Sequence, residues 1–453
     1  MENKNKLKNN IAKMSPHSIE SEQAVLGCML INKESVSKAI QELTSNSFYD
    51  KSNAIIFENM QKLFNDNKFD VVIYGATGFT GKLVAEYMVS QYGHNQDITW
   101  AMAGRNINKL EKVRDEIGAH EETPLLIVDS EDKESLNAMT VQAKCILTTV
   151  GPYQLYGSDL VKSCAEAGTD YVDLTGEPGW MYEMIEENEK LAKESGARIV
   201  FSCGFDSIPF DLGVFFIQEA AKEKYGKPAP HVRGRVRAMN GEFSGGTVAS
   251  LGATMSTLKE KPELISALVN PFSLSGDFQG PDQLDDSKPL FDEKLDMWVA
   301  PFIMASINTK NVHRSNALMG HSYGEDFCYD EMSIAGSGEE GKAAAEFMAT
   351  INPLAGEDMP APGEGPSKDS RENGNYDVLF CADMPDGETL KATVTGDMDP
   401  GYGSTSKMIA ESAVCLVKDC DELEGGIYTP APSMGKRLIR RLVNNAGLTF
   451  SLD

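Results

Sequence analysis

The run FDVVIYGATGFTGKL, residues 69–83, places Gly75, Gly78 and Gly81 three apart, just after a β-branched stretch and just before one with helical spacing. Glycines in such a turn let backbone N–H groups approach a phosphate, and two kinds of ligand use that arrangement. A triphosphate loop needs Gly, four residues, Gly, Lys and then Ser or Thr for the metal. Ala76 stands where its first glycine would be, and Leu83, with no hydroxyl, follows Lys82. The other fit is a strand, Gly-x-x-Gly-x-x-Gly and helix that bind a dinucleotide. Gly75 would permit the tight turn, Gly78 the approach of a pyrophosphate and Gly81 close helix packing, with Thr77, Phe79 and Thr80 completing the loop. The plain alternative is an ordinary strand-to-helix turn; the amphipathic spacing of Leu83, Val84, Tyr87 and Met88 weighs against it.

Cofactor choice is read at the end of the second strand, where a carboxylate suits NAD and an arginine suits the 2′-phosphate of NADP. Here the residues are AGRNINK, with Arg105, Asn106 and Lys109 and no carboxylate, so NADP(H) is expected. A solvated loop arginine is the bland reading of Arg105. Asp129, after the third strand, would lie near the adenine or cap the next helix. The fourth strand ends in TTVGPYQLYG, which offers Val150, Gly151, Pro152 and Tyr153 as a wall for the nicotinamide, or only a Gly-Pro turn. Thr175, Gly176 and Glu177 end the next strand, and Asp206 and Ser207 the one after. Tyr153, Glu177 and Asp206 are therefore the candidates for catalysis, with Tyr153 and Glu177 as proton donor or orienter. The six histidines are scattered and form no nucleophilic triad, although His313 and Arg314 could meet an acidic group of a substrate. No metal site is expected.

These residues need a scaffold, and the chain supplies alternating strand and helix patterns from Asp70 to about Tyr225. That alternation predicts an α/β, doubly wound parallel sheet of the Rossmann type. Beyond it, HVRGRVRAMNG, MWVAPFIMASINTKN, DFCYDEMSIAG and ETLKATVTGD are expected as longer, mainly antiparallel strands, with helices at TVASLGATMSTLKEK and GKAAAEFMATINPL. The acidic Pro/Gly tract 355–375 is expected as a loop, STSKMIAESAVCLVKD as a helix, and the tail as ending in a basic amphipathic helix. The first 67 residues differ from the rest: they hold eight Lys against eight Asp or Glu, no Arg, ten Asn and one of the 40 glycines. All of the formal charge of −26 lies beyond them, which argues against a nucleic-acid partner. The expected divisions are 1–67, helical; 68–225, dinucleotide-binding; 226–424, a mixed α+β substrate domain; and 425–453, a tail and helix. Eight cysteines without paired spacing, the polar start MENKNKLKNN and the lack of an apolar run near the roughly 18 residues of a membrane span point to a cytoplasmic protein. A homodimer stays open.

Two resemblances follow. SIESEQAVLG, with Phe48, Tyr49 and the later IFENMQKL, resembles the N-terminal domain of DnaB-type replicative helicases over about residues 14–67, roughly half of that domain. In that family the domain mediates hexamer packing and primase contacts and catalyses nothing. DVVIYGATGFTGKLV, AGRNINKL, VGPYQLYG, DLTGEP, CGFDSIPFDLG and GGIYTPAP together resemble the saccharopine dehydrogenase-like oxidoreductases, which include the trans-acting enoyl reductases. This second resemblance spans 69–453. It implies NADP(H)-dependent hydride transfer to an enoyl or imine-type acceptor, a small molecule or an acyl or lipid intermediate. Some members carry a membrane-associating apolar stretch in the second domain, and this chain lacks one. A catalytically silent dinucleotide-binding protein, or a replication-associated interaction protein working through residues 14–67, are the other readings.

Overall fold

The computed structural model describes residues 17–31, 33–65, 69–94, 96–205, 207–242, 244–262, 264–351 and 363–453. Two compact units emerge, Met1–Lys68 and Phe69–Asp453. The first holds α1 (Ile19–Ile31), α2 (Lys33–Glu42) and α3 (Lys51–Asn65). Ser18 Oγ accepts the Ser21 N–H at 3.2 Å, the capping bond expected at the start of α1. Glu22 then reaches across to Tyr49 N, at 2.7 Å, and to Asn53 Nδ2, at 2.9 Å. Leu26, Met29, Phe48 and Phe57 form a small core.

In the second unit β1 (Phe69–Tyr74), α4 (Phe79–Tyr92), β2 (Trp100–Gly104), α5 (Ile107–Glu116), β3 (Leu125–Ile127), α6 (Lys133–Thr140) and β4 (Ala143–Thr148) alternate. They continue through α7 (Tyr153–Tyr156), α8 (Ser158–Ala167), β5 (Asp170–Val172), α9 (Pro178–Ser195), β6 (Arg198–Val200) and α10 (Ile208–Tyr225). Next come β7 (His231–Asn240), α11 (Gly245–Glu260), α12 (Leu264–Val269), β8 (Leu290–Asp292), β9 (Met297–Pro301), α13 (Ala305–Leu318), β10 (Cys328–Gly336) and α14 (Gly338–Met348). The chain closes with α15 (Lys368–Asn373), β11 (Asn375–Asp383), β12 (Thr389–Gly396), a π-helical turn Pro400–Ser404, α16 (Thr405–Asp419), β13 (Gly426–Tyr428), α17 (Pro430–Asn445) and β14 (Leu448–Leu452).

The first sheet has the order β13-β6-β5-β4-β1-β2-β3, and every pairing is parallel. Residues 70–74 of β1 are all buried, as expected of a strand covered on both faces. The direction of winding reverses between β1 and β4, so a crevice opens at their carboxyl ends. The second sheet, β14-β12-β11-β7-β10-β9-β8, is antiparallel except for the β7–β10 pair. Its β7 can bury arginines because each has a partner: Arg233 pairs with Asp292 and Asp383, and Arg235 with Asp292 and Asp330.

Three expectations change. MWVAPFIMASINTKN is a strand only over 297–301; from Ala305 it is helix α13. That helix buries polar side chains on several sides, so no apolar period of 3.6 marks it. Its side chains are pinned instead: Arg314 to Leu274 O and Ile427 O, Asn308 to Glu331, Ser315 to Thr429 and Asn316 to Gly324 O. Within the tract 355–375, residues 355–362 lie outside the described residues, while 368–373 are helical and Asn375 starts β11. Residues 425–453 contribute one strand to each sheet, β13 to the first and β14 to the second.

Candidate functional site

The glycine loop forms where β1 runs out at the crevice. Gly75 has φ +93°, and a Cβ there would meet Thr149 Oγ1 and Val150 Cγ2, each at 2.8 Å. A Cβ on Gly81 would overlap the Gly75 carbonyl, and one on Gly78 would stand 3.3 Å from it. Gly78 is the N-cap of α4 and brings no side chain to its first turn, whose N–H groups lack helical partners by geometry. Thr77, Phe79 and Thr80 are half-buried beside it. The shape fits a pyrophosphate. Lys82 Nζ, the basic group of the loop, is tied to Glu116 of α5 at 2.6 Å.

At the end of β2, Arg105, Asn106 and Lys109 are exposed. Asn106 Oδ1 accepts the Lys109 N–H at 3.1 Å, so this asparagine caps α5. Arg105 forms no ion pair among the described residues, and its charge is felt by the Tyr74 hydroxyl at the end of β1. Burial, together with Asp129, pushes that hydroxyl up to about 12. Asp129 Oδ1 accepts the Glu131 N–H at 3.1 Å, whereas Asp132 caps α6. Asp129 therefore shapes the turn before that helix.

The stretch expected to wall the nicotinamide, Val150 to Tyr153, is tightly tied. Val150 packs on the glycine loop, and the Gly151–Pro152 bond after it is cis. The buried Tyr153 hydroxyl donates to Thr148 O at 3.2 Å and accepts from Leu174 N at 3.0 Å, which joins the ends of β4 and β5. Burial raises its pKa well above the usual value. Glu177 accepts the N–H groups of Tyr153, at 3.1 Å, and Gln154, at 2.8 Å, and burial pushes its carboxyl up. Asp206 lies outside the described residues; its neighbour Ser207 bonds Asn311 of α13. The carboxyl ends of β1, β4, β5 and β6 lie along one edge of the parallel sheet. His313 and Arg314 are engaged elsewhere: Arg314 holds backbone carbonyls, and the His313 ring lies tilted against Phe272, centroids 4.5 Å apart.

Four further residues at the crevice were not legible in the spacing. Asp173 is fully buried, accepts from Thr175 N, Ser202 N and Tyr171 OH, and burial lifts its carboxyl to about 7. On α11, Ser250 O accepts from Gln154 Nε2 at 3.5 Å and Thr254 Oγ1 from the same atom at 3.0 Å. Beside them Trp180, Leu258, Leu264 and Leu268 line a pocket with Gln154 and Glu177. Tyr402 sits in the π-helical turn, where Asp399 caps its N–H at 2.9 Å; its hydroxyl accepts from Ser244 N at 2.5 Å, and its ring meets Phe79 edge-on at 5.3 Å. A tyrosine between glycines in DPGYGST was the available signal.

A possible metal cluster among the described residues, His94, His120 and Glu122, lies in the loops leading into β2 and β3, at the opposite edge of the sheet. The two rings stack face to face at 4.2 Å, and His120 Nδ1 accepts the Glu122 N–H at 3.2 Å.

Residues 71–200 match the saccharopine dehydrogenase NADP binding domain, and residues 14–73 the DnaB-like helicase N terminal domain. The overlap at 71–73 falls in β1, which is paired on both sides within the second unit. A Mycobacterium tuberculosis protein named provisionally as a trans-acting enoyl reductase is 39% identical over 402 residues, covering 83% of this chain and 95% of the relative. The trans-acting enoyl reductase of Mycobacterium tuberculosis strain H37Rv is 35% identical over 405 residues, 83% of this chain and 96% of the relative. Among solved structures, apo saccharopine dehydrogenase (L-Glu forming) from Saccharomyces cerevisiae is 12% identical, with a TM-score of 0.49 over 85% of this chain and 100% of that one. With identity of this degree along nearly the whole of those relatives, and a dinucleotide loop in the expected crevice, the chain belongs to the saccharopine dehydrogenase-like oxidoreductases of the trans-acting enoyl reductase family.

Proposed function

We propose that the chain is an NADP(H)-dependent reductase acting on an enoyl acceptor carried by an acyl or other lipid intermediate. The observation that carries the cofactor choice is the exposed Arg105 just past β2, with no carboxylate at that strand end. The names of the relatives support the enoyl acceptor. Bound dinucleotide would supply the hydride. The glycine loop and the first turn of α4 would hold the pyrophosphate, and Arg105 the 2′-phosphate. Tyr153 and Glu177 act in this reading as orienters: their bonds fix the corner that leaves β4, against which the nicotinamide would lie. A cytoplasmic setting is supported by eight cysteines that are all free thiols, and no described helix is long and apolar enough to cross a membrane.

The test is a titration with NADPH and NADH, followed by turnover on α,β-unsaturated acyl thioesters and, separately, on imine-forming keto acids with ammonia. Tight NADPH binding and oxidation with the thioesters is expected. Binding without oxidation on either panel would favour the silent binding protein, and oxidation on the imine panel alone would move the acceptor class.

A further inference from the structure

Phe79 opens α4 directly after Gly78, so its ring stands beside the N–H groups that would face a pyrophosphate. Three pieces of the second half of the chain converge on that ring. Tyr402 meets it edge-on at 5.3 Å. Gly365 lies so close that a Cβ there would come within 2.5 Å of the ring. The Arg371 guanidinium sits over its face, 5.5 Å from the centroid.

Arg371 is held there by its backbone. Its carbonyl accepts the Asp399 N–H at 2.9 Å, and the same Asp399 caps the turn that carries Tyr402. Ser370 beside it bonds Glu242 at 2.8 Å, and the Glu364 carbonyl accepts the Gly245 N–H at 3.1 Å. The half-buried side chain gives one bond, Nη1 to Pro366 O at 2.7 Å, and makes no ion pair among the described residues. Asp399 feels its charge, after burial and the backbone bonds from Gly403 and Tyr402. A guanidinium has five N–H donors, so most of this one's have no partner among the described residues and are available to a ligand. Meanwhile Lys82, the basic residue of the loop itself, is tied to Glu116. In a chain of formal charge −26, a fixed arginine at the start of the dinucleotide helix is the complement that a dianionic pyrophosphate needs.

We propose that Arg371 binds the pyrophosphate of the dinucleotide from the side of the second sheet, with Phe79 as the platform that positions its guanidinium. This rests on the dinucleotide reading above and adds a residue nearly three hundred positions from the glycine loop. Arg371 and Arg105 then divide the work: Arg105 tells NADPH from NADH, and Arg371 serves the part that both cofactors share.

The experiment measures NADPH and NADH dissociation constants by nicotinamide fluorescence for the full chain, Arg371→Ala and Arg371→Lys, together with thermal unfolding without cofactor. Arg371→Ala should weaken both cofactors by a similar factor, about 10- to 100-fold, as for a lost charged hydrogen bond. Arg371→Lys should recover part of it by keeping the charge, and would carry the comparison if the alanine variant did not fold. The unfolding temperature without cofactor should stay within about a degree or two of the parent, as for a group whose partner is the ligand. Unchanged affinities would overturn the proposal; so would a loss confined to NADPH, or a loss matched by a fall in unfolding temperature. If the parent chain binds neither cofactor the dinucleotide reading itself fails, whereas a binding parent with an indifferent Arg371→Ala removes only Arg371.

Discussion

Glu177 Oε1 accepts the backbone N–H of Tyr153 at 3.1 Å, and through that bond the loop after β5 holds the corner that leaves β4. Its other oxygen takes Gln154 N at 2.8 Å. Two donors in a buried corner depend on one carboxylate. Glu177→Ala should therefore lower unfolding stability by about 2–4 kcal/mol, because orphaned buried N–H groups cost more than a bond gains. Glu177→Gln, which keeps one acceptor oxygen, should lose about half as much. NADPH affinity should fall in the same order, read by fluorescence titration. An alanine variant as stable and as tightly binding as the parent would remove Glu177 from the site.

Arg105 and Arg371 make different predictions at two points of one ligand, the 2′-phosphate and the central pyrophosphate. Arg105→Ala should cost about 1.5–3 kcal/mol of NADPH binding, the worth of a hydrogen bond to a charged group, and little of NADH binding. Isothermal titration with both cofactors reads this directly. Equal losses for the two would take Arg105 off the 2′-phosphate.

The glycine loop was legible because strand, turn and helix are contiguous, so three glycines at fixed spacing carry the whole geometry. The end of β4 just before Val150–Tyr153 was legible as a strand end. The partners of Tyr153 were not, since Leu174 is brought to it only by the pairing of β4 with β5. Strand β11 follows an acidic Pro/Gly tract and is buried on both faces over 378–382, so no alternation marks it. Helix α13 hides for the opposite reason, its buried polar side chains being satisfied by neighbours far away in sequence. Arg371 and Tyr402 meet Phe79 only in the fold, and no spacing rule reaches them.

Three buried carboxyls set a pH dependence. Burial lifts Asp173 and Asp211 to about 7 and Glu331 to about 8. A raised folded value means that the folded state still holds a proton that the unfolded chain has released. Stability from such a group is full below the unfolded value, 3.8 for Asp173, and is lost as pH rises toward about 7. Asp173→Asn keeps an acceptor for Thr175 N and Ser202 N but cannot titrate. Denaturant unfolding across this window should show the parent falling relative to the variant by up to about 1.4 kcal/mol per pH unit. Parallel curves for the two proteins would show that Asp173 is ionised in the fold.

The last prediction concerns residues 1–67. Strand β1 is paired with β2 on one side and β4 on the other from its first residues, Phe69 with Ala143 and Val71 with Trp100. A chain beginning at Lys68 therefore keeps every strand of both sheets, while one beginning at Gly75 loses the centre of the first sheet. The helical unit has a core of its own, yet it leaves Leu30, Ile31, Ile55 and Ile56 exposed, Ile31 at 88%. Apolar side chains gathered on so small a unit favour association with other surfaces. Residues 68–453 alone should be folded and should bind NADPH as the full chain does. By light scattering they should self-associate less. A truncated protein that aggregates, or that loses cofactor, would show instead that the helical unit has become necessary to the enzyme. The shorter chain beginning at Gly75 should fail to fold in either case, which separates the loss of β1 from the loss of the appendage.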